Sequence, residues 1–130
     1  MPIRRLGDSS LEIMLVTSRT TKRWIVPKGW PIKGMKDYDA AAKEAYEEAG
    51  VVGRIGKKPA GRYDYWKRLS DHFALCTVKL YLLEVERQLP SWAEQHQRHC
   101  QWFKPEDAAD LVDEPGLSSL IRTITGQPPR

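Results

Sequence analysis

Three carboxylates are the residues best spaced to do chemistry. Glu44, Glu47 and Glu48 stand at i, i+3 and i+4 in a stretch, Ala40 to Ala49, built almost wholly of good helix formers. At roughly 100° per residue they fall on one helix face about 100° wide. Ala42, Ala45 and Ala49 fall on another face, where small side chains let a helix lie close to a sheet. The plain alternative is a solvated acidic face. Glu44 and Glu48 are, however, a like-charge pair, and Lys43 precedes Glu47 in the less favourable orientation for an ion pair, so the cluster calls for a neutralising cation. Oxygen-only ligands on a rigid helix suit Mg²⁺ or Mn²⁺ far better than zinc.

A second group of residues is basic. Lys28, Lys33 and Lys36 lie in or beside the loop before this helix, where the positive helix N-terminus and three ammonium groups face one phosphate-sized space. Arg19, Lys22 and Arg23 are placed to line its other side. Each of them has the alternative of a solvated face. Trp30, in the same loop, can stack on a base or cover the edge of the core. His72, His96 and His99 form no i, i+4 pair, so no zinc site is predicted.

These groups need a scaffold, and 130 residues with 41% hydrophobic and 29% charged content suit one compact domain over the whole chain, 1–130. Leu11 to Val16 is an apolar run after the turn residues Gly7 to Ser10, with Pro2 to Leu6 as its hairpin partner. Arg23 to Val26 is another strand, and Lys28 to Lys36, with two Gly and a Pro, is a loop. Asp37 or Asp39 is expected to cap the helix, and Gly50 to end it in the C′ position. Strands are then expected at Val51 to Ile55, Arg62 to Trp66 and, as one long run, Ala74 to Val85. Gln101 to Phe103 precedes a short helix at Ala108 to Val112 opened by Pro105, and Gly116 to Thr125 forms the last helix. Strands surrounding one well-marked helix predict an α/β sandwich.

Gly29 through Val51 resembles the Nudix box: Gly, five residues, Glu, seven residues, then Arg-Glu-aliphatic-x-Glu-Glu-x-Gly-aliphatic. The register holds without gaps from Gly29 through Met35 and Lys43-Glu44-Ala45-Tyr46-Glu47-Glu48-Ala49-Gly50-Val51. Met35 stands where the pattern has Glu, and Lys43 where it has Arg. The Arg23-to-Pro27 and Gln101-to-Ala108 segments are similar to those of diphosphoinositol polyphosphate and diadenosine polyphosphate hydrolases, a branch of that family.

The resemblance implies a Nudix α/β/α sandwich with a mixed sheet and one loop-helix-loop catalytic motif. It implies metal-dependent hydrolysis of a diphosphate linkage in a nucleoside or inositol polyphosphate, with Mg²⁺ or Mn²⁺ as cofactor. Glu44, Glu47, Glu48 and the Gly29 carbonyl would hold the metal. Metal ions can activate water for in-line displacement at phosphorus, so Glu48 or Glu44 can take a proton without any nucleophilic side chain. Glu94 lies where some members place a further catalytic Glu. Lys28, Lys33 and Arg23, with Arg98 and Lys104 beside Trp102-Phe103, would contact substrate phosphates. At the two altered box positions, the Lys43 stem is expected to cover Met35 and replace an ionic brace with an apolar one.

Other readings stay open. The box builds diphosphate-cutting machinery but leaves the substrate to the loops, so ADP-ribose, a sugar nucleotide or a nucleoside triphosphate also fits. A non-catalytic Nudix-like nucleotide-binding module is a further alternative. The net charge of +4 favours a polyanionic partner only modestly, and a nucleic acid is not expected, because the most distinctive helix presents carboxylates. No run approaches the ~18 apolar residues of a membrane span, and no leader-like apolar segment opens the chain, so a cytoplasmic location is expected. Cys76 and Cys100 are read as reduced core residues.

Overall fold

A computed structural model describes residues 1–8 and 10–124. Strands β1 (Pro2–Arg5) and β2 (Leu11–Thr17) form the expected hairpin, Ile3 opposite Ile13. Strand β3 is only Trp24–Ile25, and helix α1 runs from Asp37 to Ala49. Strands β4 (Val51–Ile55), β5 (Gly61–Arg68), β6 (Phe73–Leu80), β7 (Leu83–Gln88) and β8 (Cys100–Phe103) follow. Helices α2 (Pro105–Leu111) and α3 (Pro115–Ile124) end the described chain, so Thr125 lies outside the described residues.

The main sheet is mixed. β1 pairs antiparallel with β2 and parallel with β7, and β7 pairs antiparallel with β4. Val16 of β2 faces Ile25 of β3 on one side and Cys100 of β8 on the other. Alternation along β2 divides the core, because successive side chains leave a strand on opposite faces. Ile13 and Leu15 join Ile3, Ala108, Leu117 and Ile121 under α2 and α3. Met14 and Val16 join Ala45, Ala49, Val51 and Leu83 under α1. Helices thus cover both faces of the sheet, and the Ala stripe of α1 is its packing side.

Two expectations need correction. Ala74 to Val85 is not one strand: β6 ends at Leu80, and β7 starts at Leu83 in a different sheet. The alternation that holds along β6 fails there, since Leu80, Tyr81 and Leu83 are all buried. β5 and β6 instead form a separate hairpin, Trp66 opposite Leu75, with α3 packed on β5. Nor does an Asp side chain cap α1. Lys36 occupies the cap position without a side-chain bond, and Asp37 and Asp39 lie in the first turn, where their charge suits the helix dipole. Asp37 is bonded by Lys79 at 3.0 Å.

The helix end is as expected. Gly50 adopts φ 67°, and its N–H donates to the Tyr46 carbonyl at 3.0 Å.

Candidate active site

The last turn of α1 is held from outside the helix. Helix ends leave carbonyls without intrahelical partners, and here the end of β7 and the segment after it supply donors to three of them. The Glu94 N–H donates to Glu47 O at 3.1 Å, the Trp92 indole N–H to Glu48 O at 3.2 Å, and the Gln88 amide to Ala49 O at 2.9 Å. The Trp92 ring also lies on Gly50, where an added Cβ would sit 2.2 Å from ring carbon Cδ2. This docking carries Glu94 and Arg98 to the acidic face of the helix.

Glu48 is the centre of that face, and only 3% of it is exposed. Its Oε1 is buried with no hydrogen-bond partner, a costly condition for a carboxylate. Arg98 Nη2 is 3.8 Å away, too long for a hydrogen bond, because the rest of the guanidinium is engaged. Arg98 Nε donates to Glu94 Oε1 at 2.7 Å, and Nη1 to the Thr17 carbonyl at 3.0 Å. Burial, aided by a hydrogen bond with Glu44, pushes the Glu48 carboxyl up to about 8 against the opposing pull of Arg98; the charges of Glu44 and Glu94 add to the rise.

Gly29 closes the other side of Glu44. A Cβ on Gly29 would stand 2.5 Å from the Glu44 Cδ and Oε1, so any larger residue here would push that carboxylate from its place. Lys28, next to it, holds its Nζ 5.0 Å from the centre of the Tyr65 ring. Burial lowers the Lys28 pKa, while Glu114 and Glu48 work against the fall.

Glu47 stands apart from this group. Lys43 donates to its Oε2 at 2.6 Å, so the Lys43 ammonium is spent on Glu47. Among the described residues no three His, Cys, Asp or Glu side chains are gathered as a ready metal site. A divalent cation nevertheless fits the pair Glu44 and Glu48: Glu48 offers a buried oxygen without a hydrogen-bond partner, the Gly29 backbone lies close to Glu44, and all donors are oxygens.

The basic residues separate. Lys28 and Arg98 adjoin Glu48. Arg23 donates to Asp113 at 2.9 Å, and Lys33 is exposed in the loop. Lys104 lines a separate cavity with Arg5, Glu12 and Glu106, on the α2 and α3 side of the sheet. Trp30 is 62% exposed, with Lys67 Nζ 5.3 Å from the centre of one of its rings, so it does not cover the core. Sequence reasoning missed Tyr65 and Glu114, which reach Lys28 from β5 and from the turn before α3. Neither belongs to a motif, and only the placement of the hairpin could have found them.

A NUDIX domain model matches residues 5–124. The chain belongs to the NUDIX domain family. Rat diphosphoinositol polyphosphate phosphohydrolase 2 is 36% identical over 104 residues, covering 78% of this chain and 54% of that protein. Nudix hydrolase 13, mitochondrial, of Arabidopsis thaliana is 28% identical over 120 residues, covering 88% of this chain and 59% of that protein. The chain spans just over half the length of both. A Caenorhabditis elegans Ap4A hydrolase binary complex superposes with a TM-score of 0.70 at 22% identity, covering 96% of this chain and 90% of that one, and so shares the Nudix fold. Among the described residues no helix is long and apolar enough to cross a membrane.

Proposed function

We propose that this chain hydrolyses a phosphoanhydride linkage in a small nucleoside or inositol polyphosphate, with Mg²⁺ or Mn²⁺ as cofactor. One observation carries the reading: a buried Glu48 oxygen without a hydrogen-bond partner, flanked by Glu44 and Glu94, with the Gly29 backbone lying against Glu44. Chemistry of this kind is also named in the rat and nematode relatives, a diphosphoinositol polyphosphate phosphohydrolase and an Ap4A hydrolase.

Glu44, Glu48 and the Gly29 carbonyl would hold the cation, joined by Glu47 once it leaves Lys43. Bound divalent ions lower the pKa of a coordinated water and offset charge on the reacting phosphate. Lys28, Arg23 and Lys33 bind phosphate oxygens from the loop side. Glu94, fixed by Arg98, is placed to accept or relay a proton beside Glu48.

The test is a panel of diadenosine polyphosphates, diphosphoinositol phosphates, ADP-ribose and nucleoside triphosphates, assayed with Mg²⁺, with Mn²⁺ and in excess EDTA. Metal-dependent cleavage of a phosphoanhydride bond in a polyphosphate is expected, read from the separated products; full activity in EDTA would overturn the metal reading. A non-catalytic nucleotide-binding module is the second reading, favoured by the commitment of Glu47 to Lys43. A chain that binds members of the panel but cuts none would establish it.

A further inference from the structure

The β5–β6 hairpin stands apart from the main sheet, and its two faces differ. Side chains alternate between the faces of a strand, so Tyr63, Tyr65 and Lys67 point one way and Asp64, Trp66 and Arg68 the other. The first set is inward: Tyr63 belongs to the core, Lys28 lies over Tyr65, and Lys67 lies over Trp30. The second set faces outward, where Trp66 is 66% exposed, Leu75 directly across from it 55%, and Phe73 61%. Three large apolar side chains together on one exposed face mark an interaction surface, whereas single ones scattered over a surface need no explanation.

The charges around this patch decide what it fits. Along β5 the outer face reads Arg62, Asp64, Trp66, Arg68, and Asp71 follows in the turn. Asp64 and Arg68 thus lie about 7 Å to either side of Trp66, two residues away in each direction. Beyond them, Arg62 stands toward the base of the hairpin and Asp71 at its tip. The sign of the charge inverts about Trp66, and that makes the face self-complementary. When two copies lay this face together around a twofold axis crossing the strands at Trp66, each Arg68 meets Asp64 of the other copy, and each Asp71 meets its Arg62. A lipid surface or other polyanion would meet repulsion from Asp64 and Asp71.

The groups required are largely available. Among the described residues Arg62 and Arg68 make no hydrogen bond or ion pair, and both are exposed. Asp64 accepts from Thr77 Oγ1 at 2.6 Å through one oxygen, which leaves the other. Asp71 pairs only with its neighbour His72.

We infer that the outer face of the β5–β6 hairpin is a twofold interface for a second copy of this chain, with Trp66, Phe73 and Leu75 at its centre and Asp64–Arg68 pairs at its rim. The face runs only from the Arg62–Lys79 pair to the Arg68–Phe73 pair, so the dimer is small, weak and dependent on concentration. The inference does not depend on the proposed hydrolysis.

Sedimentation equilibrium of the whole chain at low ionic strength, where rim charges are least screened, tests it. A monomer–dimer equilibrium is expected. Arg68→Asp leaves acids at both rim positions and Asp64→Arg leaves bases at both. Each alone should raise the dimer Kd at least ~10-fold, because one substitution reverses two contacts of a twofold dimer. An equimolar mixture of the two variants should form a heterodimer nearly as tight as the wild-type dimer, since every contact between positions 64 and 68 then joins opposite charges. Trp66→Ser removes the apolar centre and should leave a monomer, with circular dichroism melting as the check that each variant is folded. A wild type that stays monomeric up to ~1 mM, or folded variants that do not associate on mixing, would overturn the interface. So would a monomer that binds phosphatidylserine vesicles through Trp66, an outcome that would give this face to a membrane.

Discussion

The two ends of the Nudix-box segment are built in opposite ways. The C-terminal turn of α1 is buried and tied down from outside, by Gln88, Trp92 and Glu94 on its carbonyls and by Arg98 beside Glu48. The Lys28-to-Lys36 loop before the helix is mostly exposed, and what reaches it from the β5–β6 hairpin is cation–ring contact, Lys28 over Tyr65 and Lys67 over Trp30. A reacting geometry tolerates little displacement, whereas recognition of flexible phosphate chains tolerates more. On the function proposed above, chemistry belongs at the rigid end and selection at the exposed end. If that division is right, substitutions at the C-terminal end cost turnover or stability, and those at the N-terminal end act more mildly.

The largest effect is expected at Glu48. Glu48→Gln keeps the volume and puts a neutral amide where burial already favours the uncharged carboxyl, so the fold should hold while turnover falls at least ~100-fold, the usual scale for an acid–base or metal-orienting group. Circular dichroism melting and kcat on the same sample check both halves. Near-normal turnover would sink the assignment of chemistry to this end.

Arg98 should matter next, and first for stability. Arg98→Ala leaves Glu48 and Glu94 facing each other without a cation. Fully buried broken pairs cost roughly 3–5 kcal/mol, and since the Glu94 side chain is 21% exposed, about 2 kcal/mol is expected. Urea unfolding measures it, and an unchanged midpoint would mean that the Arg98 network contributes nothing to holding this end together. Gly29→Ala comes third, at the junction of the two regions. The new Cβ would displace the Glu44 carboxylate, so kcat should drop about 10-fold with little change in melting temperature, because the residue sits in an exposed loop. Loss of stability equal to the loss of activity would show that the loop is structural.

The same contrast decides what was legible in the sequence. The helix, its Ala packing face and the Gly50 stop could be read because each follows from local periodicity and backbone preference. The acidic face could be read as a cluster, but not its division, in which Glu48 turns inward and Glu47 takes Lys43. That outcome depends on Arg98 and Glu94, brought in by a segment with no helical or strand pattern of its own. The split of Ala74 to Val85 escaped for a similar reason: nothing local breaks an apolar run whose two halves belong to different sheets. Lys104 resembled a phosphate contact by its neighbours in sequence, yet β8 and the start of α2 carry it to the other face. The tail of the last helix, at Thr125, falls outside the described residues.

The smallest effect is expected at the altered box positions, Met35 in the loop before α1 and Lys43 on the exposed side of the helix. An apolar brace of Lys43 over Met35 would make the two positions interdependent. The structure gives the Lys43 ammonium to Glu47 instead, at 2.6 Å, in the orientation that is less favourable for a helical pair. An exposed pair of this kind is screened and contributes little to stability. Met35→Glu should then change kcat/KM by less than about 10-fold, and Met35→Glu with Lys43→Arg should give the product of the single effects to within about twofold, because the Lys43 ammonium is already committed to Glu47. The pair that does couple is Lys43 and Glu47, so Lys43→Met should alter the Mg²⁺ concentration for half-maximal activity only while Glu47 is present. Strong coupling between positions 35 and 43, with none between 43 and 47, would show that Glu47 is free of Lys43 in solution and that the working site holds all three carboxylates from the start.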